Sequence, residues 1–170
     1  VPGQAQELPS LHVGIVQGSV EQGAKWQSVS LTQTTGRHLR LARQLDASKG
    51  PLDLIVFPET AFPFRLDHPN YEIHRRWLAE LSAESGASLL VGALGSTSER
   101  GDKGLFNRAY LIDGETTAGF ADKVHLVPFG EYLPMKWIFG YLDELTAESG
   151  AFDPGQLGHK VLNLPAAAER

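Results

Sequence analysis

The sequence predicts an α/β fold in which helices pack on a sheet that contains parallel strands. Two observations support this class. Short, continuous apolar runs at residues 11–16 and 52–57 are typical of strands that are buried on both faces. Between them, residues 27–47 keep apolar positions at roughly helical spacing, and Gly50-Pro51 ends that helix. A strand, a helix and a second strand of these lengths predict a βαβ unit, so the two strands should be parallel neighbours.

The other elements follow in chain order. After a loop at residues 61–70, apolar positions on one helical face predict a helix over residues 71–85, which Gly86 ends. Residues 88–94 predict a third strand, and the dipeptide Asp113-Gly114 is a strong hairpin signal. We therefore expect antiparallel strands at residues 105–112 and 115–121, then a short helix at 136–145, a loop at 146–158 and the start of a strand at 161–164.

Composition limits the possible functions. Of 170 residues, 42% are hydrophobic and 21% are charged, which is ordinary for one globular domain with a real core. The net charge of -5 gives no basic stripe, so nucleic acid is not a predicted partner. The chain has no cysteine, which excludes disulfides and a cysteine nucleophile within these residues. His125 has no second histidine at metal-ligand spacing, so we expect a packed or loop-fixing residue, with no metal and no cofactor.

Both ends of the chain suggest a piece of a longer protein. The first residue is Val1, and residues 1–10 have the composition of a linker from a preceding region. Residues 11–170 are then a partial domain. The longest apolar run is far shorter than the roughly 20 residues that span a bilayer, so we expect the piece itself to be soluble.

A rigid loop, residues 121–134, holds the clearest candidate site residues. Pro128 and Pro134 each fix φ, and several apolar side chains make the stretch unsuited to a solvated linker. Lys123 lies at the end of the predicted returning strand, and Glu131 lies within the loop. A loop of this kind must pack against the domain and hold its polar side chains still.

Glu59 directly follows the second predicted strand, behind Pro58. Ligands meet parallel sheets beyond the carboxyl ends of the strands, where Gln17 should also lie. A partly desolvated carboxylate there suits a general base, whereas a capping or surface role is the alternative. Lys123 near that carboxylate could stabilise an oxyanion or simply be solvated. Glu131 either holds the turn through backbone donors or acts directly.

Several short motifs together resemble the nitrilase, or carbon-nitrogen hydrolase, superfamily. They are residues 13–18 (VGIVQG), 25–26 (KW), 57–60 (FPET), 106–110 (FNRAY) and 123–134 (KVHLVPFGEYLP). The last is the most specific, because its second half resembles the apolipoprotein N-acyltransferase branch. The resemblance covers residues 11–164.

This resemblance implies a nitrilase-like αββα sandwich, of which the chain holds the N-terminal part only, and a triad of glutamate, lysine and cysteine. It makes Glu59 the general base, Lys123 the oxyanion-stabilising lysine and Glu131 a second essential glutamate. It also places Trp26 and Asn107 beside the site, although aromatic packing remains an alternative for Trp26.

The branch implies an acyltransferase of the bacterial inner membrane that acts on its periplasmic face. A phospholipid donates an acyl chain to a cysteine, and the thioester passes it to the α-amino group of an apolipoprotein's diacylglyceryl-cysteine. The expected partners are therefore a phospholipid and an apolipoprotein, with the membrane contacted through regions outside this chain.

The nucleophilic cysteine of that family should follow the strand that begins near Val161, and this chain contains none. We therefore expect the piece alone to be inactive, and its uncovered sheet to promote self-association. Two alternatives remain open. One is a soluble amidase of the same superfamily, and the other is a noncatalytic module that binds a lipid or a peptide.

Overall fold

The computed structural model describes residues 10–19, 28–96, 104–128, 131, 152–158 and 160–165. Within these residues, six strands form one mixed sheet, and two helices accompany it. The strands are β1 (Val13–Ile15), β2 (Leu54–Val56), β3 (Phe62–Arg65), β4 (Ser88–Gly95), β5 (Phe106–Asp113) and β6 (Thr116–Asp122). The helices are α1 (Ser28–Lys49) and α2 (Glu72–Ser85). The sheet order is β1-β2-β4-β5-β6, and β3 also pairs with β4.

The predicted βαβ unit is confirmed. β1 and β2 are parallel neighbours that pair Val13 with Leu54 and Ile15 with Val56. The helix between them runs through Gly36, beside which an added Cβ would meet no other atom, so this glycine only weakens the helix. Gly50 follows the helix at a φ of 83°, a backbone shape that favours glycine at a helix end.

The loop predicted at residues 61–70 is wrong in its first half, because β3 forms there. Pro63 is the reason for the error, since proline has no N–H and argues against a strand. β3 tolerates it because the pairing with β4 is irregular: Phe62 pairs with Ala93 and Arg65 with Leu94, with a register shift between them. Pro63 falls in that gap, where no regular ladder bond is required.

The second helix and the hairpin are confirmed. α2 follows a short 3-10 turn, Pro69–Tyr71, and ends at Gly86, whose φ is 67° and whose N–H donates to the carbonyl of Ser82. β5 and β6 pair in antiparallel fashion around Gly114, which has a φ of 54°. The positive φ at this glycine permits the tight turn that the sequence signal predicts.

The helices cover one face of the sheet. Gly14 lies on that face, because a Cβ placed there would meet the side chains of Leu45, on α1, and Leu52. Ile55 and Leu89 lie in the same row as Gly14 and are fully buried. The buried core also includes Val16, Leu39, Ala42, Phe57, Phe62, Leu78, Leu81, Val91 and Ala93.

The opposite face is open at β1 among the described residues. Val13 is 44% exposed and Ile15 is 75% exposed, so the burial on both faces predicted for this strand is wrong, and β1 lies at the end of the sheet order. This confirms an uncovered apolar face, and the self-association expected from it stays a prediction. No helix in the described part of the chain is both long enough and apolar enough to cross a membrane.

The strand predicted at residues 161–164 is wrong. Val161 is exposed, and Lys160 places its Nζ 3.9 Å from the centre of the Phe120 ring. Leu162 approaches the position that a Cβ would take on Gly119. These residues contact β6 through side chains, without the paired backbone that a strand requires. Three predicted segments lie wholly or partly outside the described residues: residues 1–9 of the linker at 1–10, the helix at 136–145 and the first part of the loop at 146–158.

Candidate functional site

Strand direction brings the predicted site residues together. β2 and β4 are parallel, and two successive antiparallel pairings make β6 run the same way as β4. The carboxyl ends of β2 and β6 therefore meet at one edge, where Glu59 follows β2 and Lys123 follows β6. Asn107 lies at the start of β5, at the same edge, and its carbonyl accepts a 2.8 Å hydrogen bond from the N–H of Lys123.

Lys123 lies between two carboxylates. Its Nζ is 2.8 Å from Oε1 of Glu59 and 3.0 Å from the carboxylate of Glu131. The hydrogen bond to Glu59 is the largest cause of a raised pKa at Lys123; partial burial opposes the rise, and Glu131 adds to it. Lys123 is thus a fixed cation, and the solvated role is wrong for a side chain that is 28% exposed and held on two sides.

Asn107 forms hydrogen bonds with both carboxylates, those of Glu59 and Glu131. Its Nδ2 donates to Glu59 Oε1 at 2.5 Å and to Glu131 Oε1 at 3.0 Å. The orientation of this amide follows from its partners, because the carboxylate oxygens that Nδ2 faces accept hydrogen bonds. The side chain is buried, so its geometry is fixed by the sheet. The resemblance placed Asn107 beside the site, and the structure places it within the cluster.

Glu131 holds the loop and also contacts the cluster. Its Oε2 accepts a 2.8 Å hydrogen bond from the N–H of Val127, and its own N–H donates to the carbonyl of Val127 at 2.9 Å. Burial alone would raise the pKa of Glu131, but the hydrogen bonds from Val127, Lys123 and Asn107 outweigh it and lower that pKa. Glu131 therefore remains an anion beside the lysine.

Glu59 is more open than the sequence suggested. Its side chain is 59% exposed, so the expected desolvation is wrong among the described residues. Both of its hydrogen bonds end on Oε1, and Oε2 accepts none within the described part of the chain. An oxygen in this state can take a proton from an approaching group, and Lys123 beside it can stabilise a developing negative charge.

Two other site predictions have different outcomes. Trp26 lies outside the described residues. His125 is exposed, so the packed role expected for it is wrong, and the alternative loop-fixing role stays a prediction.

Sequence reasoning missed an ion pair directly behind the cluster. Arg108 donates from Nε to Asp122 Oδ1 at 2.5 Å and from a terminal nitrogen to Oδ2 at 3.0 Å, and both side chains are largely buried. Asn107 precedes Arg108, and Lys123 follows Asp122, so the pair holds β5 and β6 in register at the site. The predicted hairpin did not contain this signal, because Asp122 lies beyond the predicted strand and a register shift between Leu111 and Ile112 brings it opposite Arg108.

We expect Glu131→Gln to make the stability of the fold depend less on pH in the acid range. Because the pKa of Glu131 is lowered from 4.5, its ionised form stabilises the fold above pH 4.5, and that contribution is lost as pH falls through the folded value. Lys123 has the opposite pH dependence. Because its pKa is raised from 10.5, its charged form stabilises the fold below pH 10.5, and this stabilisation is lost as pH rises through the folded value. Thermal unfolding measured from neutral pH to below 4.5 tests this.

Glu72→Gln is the matched control for that measurement. Glu72 is an exposed glutamate that forms a 3.4 Å ion pair with Arg76 on α2. The control variant should keep the acid slope of the parent protein. Equal slopes for the parent and Glu131→Gln would contradict the role of Glu131 in holding the loop.

Comparison with known proteins identifies the family. The sequence pattern of the family described as Carbon-nitrogen hydrolase matches residues 12–166, which is most of the chain. The chain belongs to the carbon-nitrogen hydrolase family. The matched residues include the whole site cluster, which consists of Glu59, Asn107, Lys123 and Glu131.

Curated relatives that are 36% and 37% identical to this chain share one name. The chain is 36% identical over 146 residues to the apolipoprotein N-acyltransferase of Geobacter metallireducens, covering 84% of this chain and 27% of that protein. It is 37% identical over 177 residues to the enzyme of that name from Rhizobium meliloti, covering 96% of this chain and 32% of that protein. The chain thus spans about a third or less of these relatives.

Solved structures of carbon-nitrogen hydrolases share the fold. Nit3 of Saccharomyces cerevisiae, a member of branch 10 of the nitrilase superfamily, superposes with a TM-score of 0.58 at 15% identity, over 88% of this chain and 50% of that one. The carbon-nitrogen hydrolase of Helicobacter pylori gives 0.56 at 18% identity, over 87% and 46%. The nitrilase-like fold is therefore confirmed, and this chain forms part of the domain.

Proposed function

We propose that this chain is part of an apolipoprotein N-acyltransferase, which moves a phospholipid acyl chain through a cysteine thioester to the N-terminal amine of a diacylglyceryl-cysteine lipoprotein. The observation that carries the proposal is the convergence of two carboxylates on one lysine, with Nζ distances of 2.8 and 3.0 Å. Further support comes from relatives of that name at 36% and 37% identity.

In this proposal the chain supplies a base and a cation to a nucleophile from elsewhere in the protein. Glu59 takes the proton of a cysteine thiol, and the sulfur attacks the ester carbonyl of the phospholipid. Lys123 stabilises the oxyanion of the tetrahedral intermediate. Collapse of that intermediate releases the lysophospholipid alcohol, which takes the proton, and leaves the acyl chain on sulfur. The amine of the acceptor then attacks the thioester and restores the thiol.

Each remaining member of the cluster has a supporting role in the proposal. Asn107 orients the carboxylate of Glu59 through its 2.5 Å hydrogen bond. Glu131 adds to the effect of Glu59 in keeping Lys123 charged, and it fixes the loop at Val127. We further propose that the complete enzyme acts at the periplasmic face of the inner membrane, where its phospholipid and apolipoprotein substrates meet. This chain alone lacks cysteine and should transfer no acyl group.

The complete protein, given phospholipid, should form an acyl adduct that hydroxylamine removes, as expected for a thioester. Intact-mass spectrometry detects the adduct, and peptide mapping locates it on a cysteine. Addition of a diacylglyceryl-cysteine peptide should discharge the adduct and yield an N-acylated peptide. The 170-residue chain is the control and should acquire no adduct.

Three results would overturn the proposal. The first is acyl transfer by the 170-residue chain itself. The second is an adduct that forms on the complete protein but passes only to water, which would favour an amidase-like hydrolase. The third is binding of lipid or peptide without any adduct, which would favour a noncatalytic module.

A further inference from the structure

The turn that carries Glu59 lies directly on the backbone of β4. A Cβ placed on Gly92 would collide with the carbonyl oxygen of Pro58, and would lie 2.8 Å from the nitrogen of Thr60 and 2.9 Å from Cα of Glu59. Contacts below 3.0 Å are essentially never made by real Cβ atoms. Only glycine, which has no side chain, lets the turn lie this close to the sheet.

The strand register explains why a turn forms over this position. Val56 of β2 pairs with Leu90, and Phe62 of β3 pairs with Ala93. Two successive strands therefore pair with the same edge of β4. Between these pairs the chain advances six residues while β4 advances three. Because paired strands have nearly equal rise per residue, the surplus residues must leave the plane of the sheet. They do so as the turn at residues 58–60.

The turn rises on the face that carries Asn107. Side chains alternate along a strand, and residues paired across strands share a face. Gly92 pairs with Ala109, two residues from Asn107, so Gly92 and Asn107 face the same side. From its position above Gly92, Glu59 reaches across β4 to Asn107 Nδ2 at 2.5 Å and to Lys123 Nζ at 2.8 Å.

The turn is fixed on both sides. Before it, the N–H of Phe57 donates to the carbonyl of Leu90 at 2.9 Å, and the N–H of Ala61 closes it on the carbonyl of Pro58 at 3.2 Å. Thr60 has a φ of 51°, a conformation that β-branched residues rarely adopt. With its ends held and its backbone already strained, the turn can respond to a new group beneath it mainly by rising.

We infer that Gly92 is a positioning residue for Glu59: its missing side chain sets the height of the turn, and so the contact between Glu59 and Lys123. The part of this inference that concerns acyl transfer rests on the proposed function. The contact itself does not, which allows the two ideas to be tested apart.

The test is Gly92→Ala in the complete protein, with two measurements. A pulse of acetic anhydride, followed by peptide mass spectrometry, reports the reactivity of the Lys123 amine. Loss of the Glu59 hydrogen bond should make Lys123 acetylate several-fold faster, because that bond is the largest cause of its raised pKa. The rate of acyl-enzyme formation should fall on the order of 10- to 100-fold, as expected for a catalytic group displaced by about 1 Å. The dependence on phospholipid concentration should change little.

Gly14→Ala is the matched control. A Cβ on Gly14 would also be crowded, at 2.7 Å from the side chains of Leu45 and Leu52, but on the helix-covered face and against flexible side-chain ends. This variant should leave both the acetylation rate of Lys123 and the acyl-enzyme rate at parental values.

The outcomes separate the two ideas. If the parent protein forms no acyl-enzyme but Gly92→Ala still exposes Lys123 to acetylation, the proposed function fails and the positioning role stands. Unchanged acetylation in a folded Gly92→Ala protein overturns the positioning role, whatever the acyl-enzyme rate. If Gly92→Ala does not accumulate, Thr60→Gly is added, since it relieves the unfavourable φ without removing the new Cβ. Parental acetylation in that double variant also overturns the inference.

Discussion

Glu59→Gln in the complete protein should lower the rate of acyl-enzyme formation by about 10²- to 10⁴-fold, the usual contribution of a general base. Glutamine has nearly the same volume, and its Oε1 can still accept the hydrogen bonds that Asn107 and Lys123 give to Glu59. What it loses is the ability to take the thiol proton. The measurement is the rate at which an acyl adduct appears by mass spectrometry, at fixed phospholipid concentration.

Glu84→Gln provides the matched control. Glu84 is also an exposed glutamate in an ion pair, with Arg43 at 2.9 Å, but it lies on α2 away from the cluster. The control should form adduct at the parental rate, and both variants should unfold at temperatures close to that of the parent. Adduct formation at the parental rate by Glu59→Gln would exclude Glu59 as the base.

Arg108→Met should destabilise the fold by about 3–5 kcal/mol, because it leaves Asp122 as a largely buried and unpaired charge. The arginine side chain is only 4% exposed, and that of Asp122 is 15% exposed. The guanidinium also lies 3.8 Å from the centre of the Phe120 ring, and a terminal nitrogen donates to the carbonyl of Ser96 at 3.3 Å. Urea unfolding measures the loss.

Arg43→Met tests whether burial is the cause. The Arg43 to Glu84 pair has a distance of 2.9 Å but is about half exposed, so its loss should change stability by about 0–1 kcal/mol. Replacing both buried partners, in Arg108→Met with Asp122→Leu, should recover part of the lost stability, since no charge is then stranded. Equal effects for Arg108→Met and Arg43→Met would contradict this account.

Local sequence patterns predicted most of the secondary structure. Helical spacing and glycine stops gave α1 and α2 to within a few residues, and Asp113-Gly114 gave the hairpin of β5 and β6. β3 was missed because Pro63 contradicts a strand on local grounds, whereas the irregular pairing with β4 removes the need for its N–H. The strand expected at 161–164 did not form, since apolar composition alone supplies no partner for the backbone.

For the candidate site, the sequence identified the participants but not their environment. Glu59 and Lys123 are 64 positions apart, and the family resemblance, not the strand pattern, assigned both to one site. The exposure of Glu59 was not predictable, because it depends on what covers the face of the sheet. The Asn107 hydrogen bonds were not predictable either, since bonds of 2.5 and 3.0 Å depend on the direction of the side chain in the folded sheet.

The sequence by itself determined the class of the fold, the parallel direction of its first strands and the set of charged residues at its carboxyl edge, because periodicity and turn residues act locally. Only the tertiary structure decided that Gly92 lies under the Glu59 turn, that Arg108 and Asp122 are buried behind Lys123, and that one cation contacts two carboxylates. These features depend on strand register and on steric fit between distant segments, and neither is encoded in a short stretch of sequence.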